Sequence, residues 1–200
     1  MILYNIMGWG KGKTTSAIGM AIRALYNDEY VMFVQFLKDG QDGGLKALKW
    51  ITEDECFDMG DFIYIPQGTK GLIKENCSKF WESVVKRIEI RQPDLVIFDE
   101  LNVALDYNLF SPYTQDQMIE WIKLIAQDRD VYITGRINNY DLRHKMISIS
   151  DVVSNCYCEK HSYNRQCPKC GMEYNPSYIY CPLCGEELKE SNKARTGREW

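Results

Sequence analysis

A loop that could bind phosphate lies near the start of the chain, at Gly8, Trp9, Gly10, Lys11, Gly12, Lys13, Thr14 and Thr15. Glycines let the backbone curl until successive N–H groups face one anion, and a helix that begins at the loop adds the positive end of its dipole. Lys13 can reach the terminal phosphates of a nucleotide, and Thr14 offers a hydroxyl group to Mg²⁺. The alternative is a glycine-rich turn with two surface lysines. A G-K-T-T sequence between a predicted strand and a predicted helix favours phosphate binding.

The spacing of this loop is unusual. In the common pattern G-x-x-x-x-G-K-[ST], the first glycine would fall on Met7, and the glycine follows one residue later, at Gly8. The loop is therefore one residue tighter than the standard one.

A pair of acids, Asp99-Glu100, follows the apolar run Leu95–Phe98. Nucleotide-binding loops of this kind need an acid at the end of another strand for Mg²⁺. Asp99 suits a direct or water-mediated contact with the ion, and Glu100 could bind the ion or orient substrate. The alternative for the pair is an acidic helix cap, which the phosphate loop makes less attractive.

The cysteines point to a metal site. Six of the eight lie between residues 156 and 184, and four of those form two C-P-x-C-G segments, at Cys167, Cys170, Cys181 and Cys184. Four thiolates in a tetrahedron favour Zn²⁺, and a closed set of four ligands predicts a structural site. Two redox-active C-x-x-C pairs are the less favoured alternative. Cys156 and Cys158 lie on one face of a predicted strand and are interpreted as ordinary buried thiols; the alternative is a spare pair of metal ligands.

The elements that would position these residues alternate between strand and helix over the first 150 residues. Near-continuous apolar strands in that order predict an α/β fold, a mostly parallel sheet with helices on both faces, and ligands at the carboxyl ends of its strands. Strands are predicted at 2–7, 30–37, 62–65, 94–98, 130–134 and 151–157, and helices at 13–26, around 43–51, 74–91, 114–127 and near 139–147. The first helix is expected to bury Ile18, Ala21, Ile22 and Leu25.

Composition narrows the class of protein. The chain has 200 residues, 45% of them hydrophobic, and a net charge of −4, which argues against a general nucleic-acid surface. No apolar run approaches the roughly 20 residues that span a bilayer. The N-terminus lacks the features of a signal peptide, so a cytoplasmic protein with reduced thiols is expected.

Several segments resemble the ATP:corrinoid adenosyltransferases, which make the cobalt–carbon bond of coenzyme B12. The family's loop reads G-N-G-K-G-K-T-T, and its acidic strand continues D-E-[LI]-N-x-A-L-x-Y, as residues 99–107 do (DELNVALDY). The family ends in A-R-x-G-[IV]-E plus an aromatic residue, and residues 194–200 read ARTGREW. The resemblance covers about 1–161 and 194–200. Further matches are Arg23-Ala24, Val34-Gln35-Phe36 with Lys38, Thr134-Gly135-Arg136 and Lys160-His161.

The resemblance implies a RecA-like P-loop NTPase fold and a specific reaction. A corrinoid reduced to Co(I) attacks the 5′ carbon of ATP and expels triphosphate, with ATP bound in reverse relative to ordinary P-loop NTPases. It implies catalytic roles for Lys13, Thr14, Asp99 and Glu100, of which the last three would hold Mg²⁺. Nucleotide contacts would come from residues 8–15, Arg23 and Arg136, although the two arginines could equally form surface ion pairs. A homodimer and a flavoprotein electron donor are also implied. His161 would either touch substrate or cap a strand.

The chain departs from the family pattern in several places. Trp9 replaces the usual Asn of the loop, Arg198 replaces a small apolar residue, and residues 66–71 (PQGTKG) stand where members of the enteric type carry aromatics against the corrinoid's lower face. The N-terminal helix that lids the corrinoid in many members is not found before Ile2. We therefore hypothesise that the zinc ribbon partly replaces that lid and lies at the edge of the sheet that carries the phosphate loop. The candidate aromatic substitutes are Tyr64, Tyr163, Tyr178 and Tyr180.

The predicted organisation is a P-loop α/β domain at 1–163, an inserted zinc ribbon at 164–190 and a C-terminal tail at 191–200. Two other functions stay open on the sequence alone. A nucleoside kinase resembling type II thymidine kinases would combine a P-loop, an Asp-Glu strand and zinc, but its D-E-A-Q-F segment does not match Asp99–Asn102. A nucleotide-dependent adaptor without catalytic activity is the other.

Overall fold

The computed structural model describes residues 1–37, 43–44, 70–157, 165–171, 173–174, 180–181 and 184–190. In the first 157 residues, strands alternate with helices, as the sequence predicts. The strands are β1 (Leu3–Met7), β2 (Val31–Gln35), β3 (Leu95–Asp99), β4 (Asp130–Thr134) and β5 (Val152–Asn155). The helices are α1 (Lys13–Tyr26), α2 (Lys70–Arg91), α3 (Leu101–Asp106), α4 (Gln115–Ile125) and α5 (Tyr140–Ile149).

The five strands form one parallel sheet in the order β2-β3-β4-β1-β5. The strand that precedes the phosphate loop, β1, and the strand that ends in Asp99, β3, both pair with β4, which lies between them. Because all strands run the same way, their carboxyl ends meet at one edge, where ligands of such sheets bind. The predicted α/β class and parallel sheet are confirmed.

Helices cover both faces of the sheet, since the strands bury apolar side chains on each side. One face packs against α1 through a cluster that includes Phe33, Ile97 and Tyr132. The other face packs against α2, α3, α4 and α5. Its centre is aromatic: the rings of Phe36 and Trp81 both lie against Phe98 and Phe110, with centroids 5.4–6.5 Å apart.

The buried stripe of α1 differs from the predicted one. The helix buries Ala17, Ala21 and Ala24, whereas Ile22 is 41% exposed. The three alanines lie at helical spacing on one face, and their small side chains let α1 lie close against the strands. The sequence prediction chose the larger residues and therefore rotated the buried face by about one residue.

Other boundaries differ modestly. Helix α2 begins at Lys70, four residues before the predicted start, and the short helix α3 after the Asp-Glu pair was not predicted. Strand β5 ends at Asn155 rather than at 157, so Cys156 lies beyond the strand and is only partly buried, and its interpretation as a buried strand thiol is corrected. Residues 45–51 and 62–65 of the remaining predictions, together with Cys158, lie outside the described residues.

The cysteine-rich segment forms a separate small antiparallel sheet. Its strands are β6 (Arg165–Gln166), β7 (Glu173–Tyr174) and β8 (Lys189–Glu190), in the order β7-β6-β8. Cys167, Cys181 and Leu188 belong to the larger of the two clusters of buried side chains. The predicted boundary at 163/164 falls among residues that are not described. Within the part of the chain that is described, we find no helix both long enough and apolar enough to span a bilayer.

Candidate active site

The phosphate loop leaves β1 at the carboxyl edge of the sheet and ends at the first residue of α1, Lys13. Two of its glycines, Gly8 and Gly12, have φ angles of +104° and +103°, a conformation that side chains other than hydrogen rarely allow. Gly12 is the N-cap of α1, so no side chain of the cap residue occupies the N–H groups at the start of the helix. That is the geometry of an anion-binding helix start.

The loop is fixed against the end of the edge strand. The Gly10 N–H donates to the carbonyl oxygen of Cys156 at 2.7 Å. A Cβ on Gly10 would collide with the carbonyl oxygen of Tyr157, and one on Gly8 with that of Cys156. Both glycines are therefore required by close packing on the chain just after β5, which holds the curl of the loop in place.

Lys13 lies inside this curl. Its ammonium group donates to the carbonyl oxygen of Gly10 at 2.6 Å. Burial lowers the pKa of Lys13, the negative charge of Glu100 opposes that shift, and the positive charge of Arg136 adds to it. The ammonium is thus partly desolvated and close to other charges, where an approaching phosphate would interact with it more strongly than in water.

Asp99 is fully buried at the end of β3, and its carboxylate is held by donors from three different elements. Thr14 donates its hydroxyl to the two oxygens at 3.0 and 3.2 Å. Gln35, the last residue of β2, donates to Oδ2 at 2.8 Å, and Thr134, the last residue of β4, donates to Oδ1 at 2.5 Å. The predicted Thr14 and Asp99 are thereby brought together, at the position expected for a nucleotide-bound Mg²⁺.

The intervening strand explains why Thr134 is part of the site. Because β4 separates β1 from β3, its last residue lies between the phosphate loop and Asp99. The Thr134 hydroxyl also accepts from the N–H of Glu100 at 3.0 Å. In the sequence, Gln35 and Thr134 stand out only as family matches. The pattern that could have revealed them is a polar residue that ends an apolar strand.

Glu100 has a left-handed backbone, with φ of +62°, directly after the buried strand. Such a conformation in a residue other than glycine costs of order 1 kcal/mol and is typical of functional positions. Glu100 stands at the N-cap position of α3, but its side chain makes no capping hydrogen bond to the helix. Its negative charge instead acts on Lys13, which favours the predicted role at the site.

Beneath the site, a buried amide contact joins β1 to α3. Asn102 donates from its amide nitrogen to Asn5 Oδ1 at 2.8 Å and to the carbonyl oxygen of Gly135 at 3.3 Å. A Cβ on Gly135 would lie 2.9 Å from that of Asn102, so this glycine allows the chain after β4 to pass close to α3. This contact keeps the Asp-Glu segment and the residues after β4 in fixed relation.

The remaining predicted nucleotide contacts lie at different distances from the phosphate loop. Arg136 lies at the site, with its guanidinium carbon 4.7 Å from the centre of the Trp9 ring. Lys11 and Thr15 are exposed on the loop. Arg23 lies in the last turn of α1, about 15 Å along the helix from Lys13, so a single chain does not bring it to the loop. Lys160, His161 and residues 194–200 lie outside the described part.

The four predicted cysteine ligands converge on one point. Their Sγ atoms all lie within 4.8 Å of one another, with Cys167 and Cys184 3.4 Å apart and Cys170 and Cys181 3.5 Å apart. Tetrahedral zinc–thiolate bonds of about 2.3 Å place the sulfur atoms about 3.8 Å apart, so the four thiols fit such an ion. This group can hold a metal ion.

The two C-P-x-C-G segments close with the same hydrogen bond. Gly171 donates its N–H to the carbonyl oxygen of Cys167 at 2.9 Å, and Gly185 donates to that of Cys181 at 2.8 Å. Both glycines have positive φ, +74° and +68°. The repeated turn presents two sulfur atoms from each segment, as the sequence predicts for a zinc ribbon.

Three features define a P-loop nucleotide-binding protein. They are the parallel sheet, the glycine-rich loop that ends in Gly-Lys-Thr at the first helix, and the buried Asp99 at the end of β3, which β4 separates from β1. The family model described as ATP:corrinoid adenosyltransferase BtuR/CobO/CobP matches residues 2–174, and the chain belongs to this family. The family predicted from the sequence is confirmed.

Individual relatives agree. The chain is 25% identical over 173 residues to a corrinoid adenosyltransferase of Sinorhizobium sp., covering 82% of this chain and 74% of that protein. It is 29% identical over 159 residues to the corrinoid adenosyltransferase of Pseudomonas aeruginosa (78% and 74% covered) and 26% identical over 163 residues to that of Escherichia coli K12 (82% and 80%).

The fold is also that of a solved structure, the flagellar accessory protein FlaH from Methanocaldococcus jannaschii. The TM-score is 0.55 at 14% identity, and the alignment covers 77% of this chain and 70% of FlaH. The predicted RecA-like P-loop fold is thereby confirmed.

Proposed function

We propose that this protein transfers the 5′-deoxyadenosyl group of ATP to the Co(I) centre of a reduced corrinoid and releases triphosphate. The observation that carries the proposal is the convergence of Lys13, Thr14 and Asp99 at the sheet edge of a chain that belongs to the adenosyltransferase family. The nucleoside kinase and the adaptor are not favoured by that membership.

The reaction needs no nucleophile from the protein. The cobalt electron pair forms the bond to C5′ of ATP, the C5′–O bond breaks, and the triphosphate leaves with that bond's electrons. Charge therefore develops on the leaving group, and the protein lowers the barrier by placing positive charge and N–H groups there in advance. The start of α1 and Lys13 meet this need.

Asp99 acts by position rather than by proton transfer. Its two carboxylate oxygens accept hydrogen bonds from Thr14, Gln35 and Thr134, so the group is fixed in place at the sheet edge. A fixed carboxylate beside a threonine hydroxyl is the donor set that holds Mg²⁺ in P-loop proteins, directly or through water. Thr14, Asp99 and Glu100 would hold the ion, which would supply positive charge beside the triphosphate.

The zinc ribbon has a structural role in this proposal. Four thiolate ligands from Cys167, Cys170, Cys181 and Cys184 leave no open position for substrate, and thiolates select Zn²⁺ over harder ions. A segment of about 25 residues has too small a hydrophobic core to fold without a bound metal ion. The ribbon, proposed at 164–190, is therefore an insertion between the P-loop domain at 1–163 and the tail at 191–200.

The wider setting follows from the chemistry. Co(I) is a strong reductant, so an electron donor must deliver the corrinoid in that state, and we propose a flavoprotein. A cytoplasmic location agrees with the free thiols and with the supply of ATP. A homodimer is part of the same proposal.

The test is to incubate the purified protein with Mg-ATP and chemically reduced cobinamide and to identify the phosphate product. Adenosyl-cobinamide and free triphosphate in equal amounts are expected. If ADP and a phosphorylated nucleoside appear instead when nucleosides are supplied, the kinase function is correct. If ATP is bound but never consumed in either assay, the adaptor is correct.

A further inference from the structure

Trp9 and Arg136 form a contact that the proposed chemistry does not yet use. The guanidinium carbon of Arg136 lies 4.7 Å from the centre of the Trp9 ring, within the roughly 6 Å at which a cation is attracted to an aromatic face. Both side chains are partly buried. Indole is the strongest of the aromatic partners for a cation, so this contact restricts where the Arg136 charge can lie.

Backbone contacts of the sheet position both Trp9 and Arg136 beside the phosphate loop. Strand register places Thr134 opposite Ile6, and the Gly135 N–H donates to the Ile6 carbonyl oxygen at 3.2 Å, so Arg136 continues alongside the start of the phosphate loop. Trp9 stands between the two glycines that pack on the chain after β5. Neither backbone can move without breaking contacts that also shape the loop.

The contact brings a second positive charge close to Lys13. Lys13 donates to the Gly10 carbonyl oxygen inside the loop, and Arg136 follows Gly135, whose N–H donates to Ile6 just before the loop. Nearby Asp99 is held in place by hydrogen bonds from Thr14, Gln35 and Thr134. Two partly buried cations held beside a curl of backbone N–H groups favour a ligand that carries several negative charges along a short chain.

We propose that Trp9 is a positioning residue whose ring holds the Arg136 guanidinium beside the phosphate loop, so that Arg136 and Lys13 together bind the triphosphate of ATP. The inference deepens the proposed function, because it names a contact to the leaving group. It requires only that the loop binds a linear polyphosphate. It differs from a second role for Trp9, direct stacking of its ring on the adenine base, and the experiment separates the two.

The experiment is a double-mutant cycle on polyphosphate binding. Wild type, Trp9→Leu, Arg136→Gln and the double variant are titrated calorimetrically with inorganic tripolyphosphate in Mg²⁺ buffer. Loss of one positioned cation contact predicts about tenfold weaker binding for Arg136→Gln, and Trp9→Leu should lose about three- to tenfold. If Trp9 acts through Arg136, the double variant binds no more weakly than Arg136→Gln alone.

Two further variants guard the interpretation. Trp9→Phe keeps an aromatic face and should retain most of the affinity, which a general defect in folding would not explain. Tyr26→Leu removes an aromatic ring that is 89% exposed at the far end of α1 and should bind tripolyphosphate like wild type. Thermal unfolding of every variant confirms that the loop is compared in folded proteins.

Additive losses in the cycle would overturn the inference, as would an unchanged affinity in Trp9→Leu. A Trp9→Leu protein that binds tripolyphosphate normally but loses affinity for ATP would assign Trp9 to the base instead. Because tripolyphosphate is titrated without corrinoid, a positive cycle stands even if no adenosyl transfer is found. Conversely, adenosyl transfer with an additive cycle would keep the proposed function and remove only this inference.

Discussion

The phosphate loop and the two cysteine turns are both ion-binding turns built around glycine at positive φ, yet they are held in different ways. Gly8 and Gly12 shape a loop that the sheet, the edge strand and α1 fix from several sides. Gly171 and Gly185 shape turns that, in the described part of this segment, lie beside strands of two residues each. The first site is organised by the protein before an anion binds, whereas we propose that the second depends on a bound metal ion for its own fold.

The largest effect should follow from removing the cation. Changing both Cys167 and Cys170 to Ser should abolish binding of one Zn²⁺ per chain, measured by metal analysis, because binding of structural zinc in such segments is worth about 10–16 kcal/mol at neutral pH. Affinity for Mg-ATP should persist, since the phosphate loop is held by the sheet. Lys169→Ser, a change at an exposed position inside the same turn, is the control and should keep the metal.

This variant also tests the domain boundary. Because Cys167, Cys181 and Leu188 join the larger buried cluster, loss of zinc could spread into the sheet. If circular dichroism shows that the whole chain unfolds with the ribbon, the two modules share one core and the contrast drawn above is wrong.

The second effect concerns the charge within the loop. Lys13→Ala should lower turnover by at least about a hundredfold, because it removes a positioned cation from the leaving triphosphate. The rate is measured as adenosyl-corrinoid formed at saturating Mg-ATP. A Lys13→Ala rate equal to the wild-type rate would contradict the proposed role of Lys13 in the reaction.

The third effect concerns the packing that organises the loop. Gly10→Ala should destabilise the protein by about 1–3 kcal/mol, because its Cβ collides with the backbone after β5 and nothing there can yield easily. Gly19→Ala is the matched control on α1, where a Cβ meets open space, and should stabilise by about 0.4–1 kcal/mol. Denaturant unfolding measures both, and equal effects at the two positions would mean that the loop is not held by this contact.

The smallest effect is a dependence of stability on pH. Burial lowers the pKa of Lys13, so the protonated side chain destabilises the folded protein at neutral pH. This destabilisation disappears as the pH rises toward the pKa of a lysine in the unfolded chain. The uncharged variant Lys13→Met should therefore gain most relative to wild type near pH 7 and less near pH 10. Melting temperatures of the pair at both pH values measure this, and a difference that grows with pH would reverse the sign of the argument.

The sequence predicts Lys13, Thr14, Asp99 and the four clustered cysteines, because their residue types and spacing are typical of phosphate and metal binding. It does not predict the supporting contacts of Gln35, Thr134 and Asn5, because each contact depends on which strands are neighbours in the sheet. Alternating strands and helices fix a parallel sheet but do not reveal that β4 lies between β1 and β3. The buried face of α1 was misjudged for a related reason, since close approach to the sheet favours alanine over isoleucine.

The place of the ribbon stays a prediction. Tyr180, one of the four aromatic residues considered as substitutes for the missing corrinoid contacts, is 54% exposed and pairs through its backbone with Glu187. Tyr64, Tyr163 and Tyr178 lie outside the described residues. A structure with bound corrinoid would decide whether the ribbon covers the ring.

The hydrogen bond from Gly10 to Cys156 divides the amide protons of the loop into two groups. The Gly10 N–H is already bonded to the chain after β5, so a bound phosphate must use other amides of the loop, such as those from Lys11 onward. In deuterated solvent, the Gly10 proton should exchange slowly with or without nucleotide, whereas its neighbours should become protected only when phosphate binds. One amide would then report whether the edge strand is in place, and the next ones whether the site is filled.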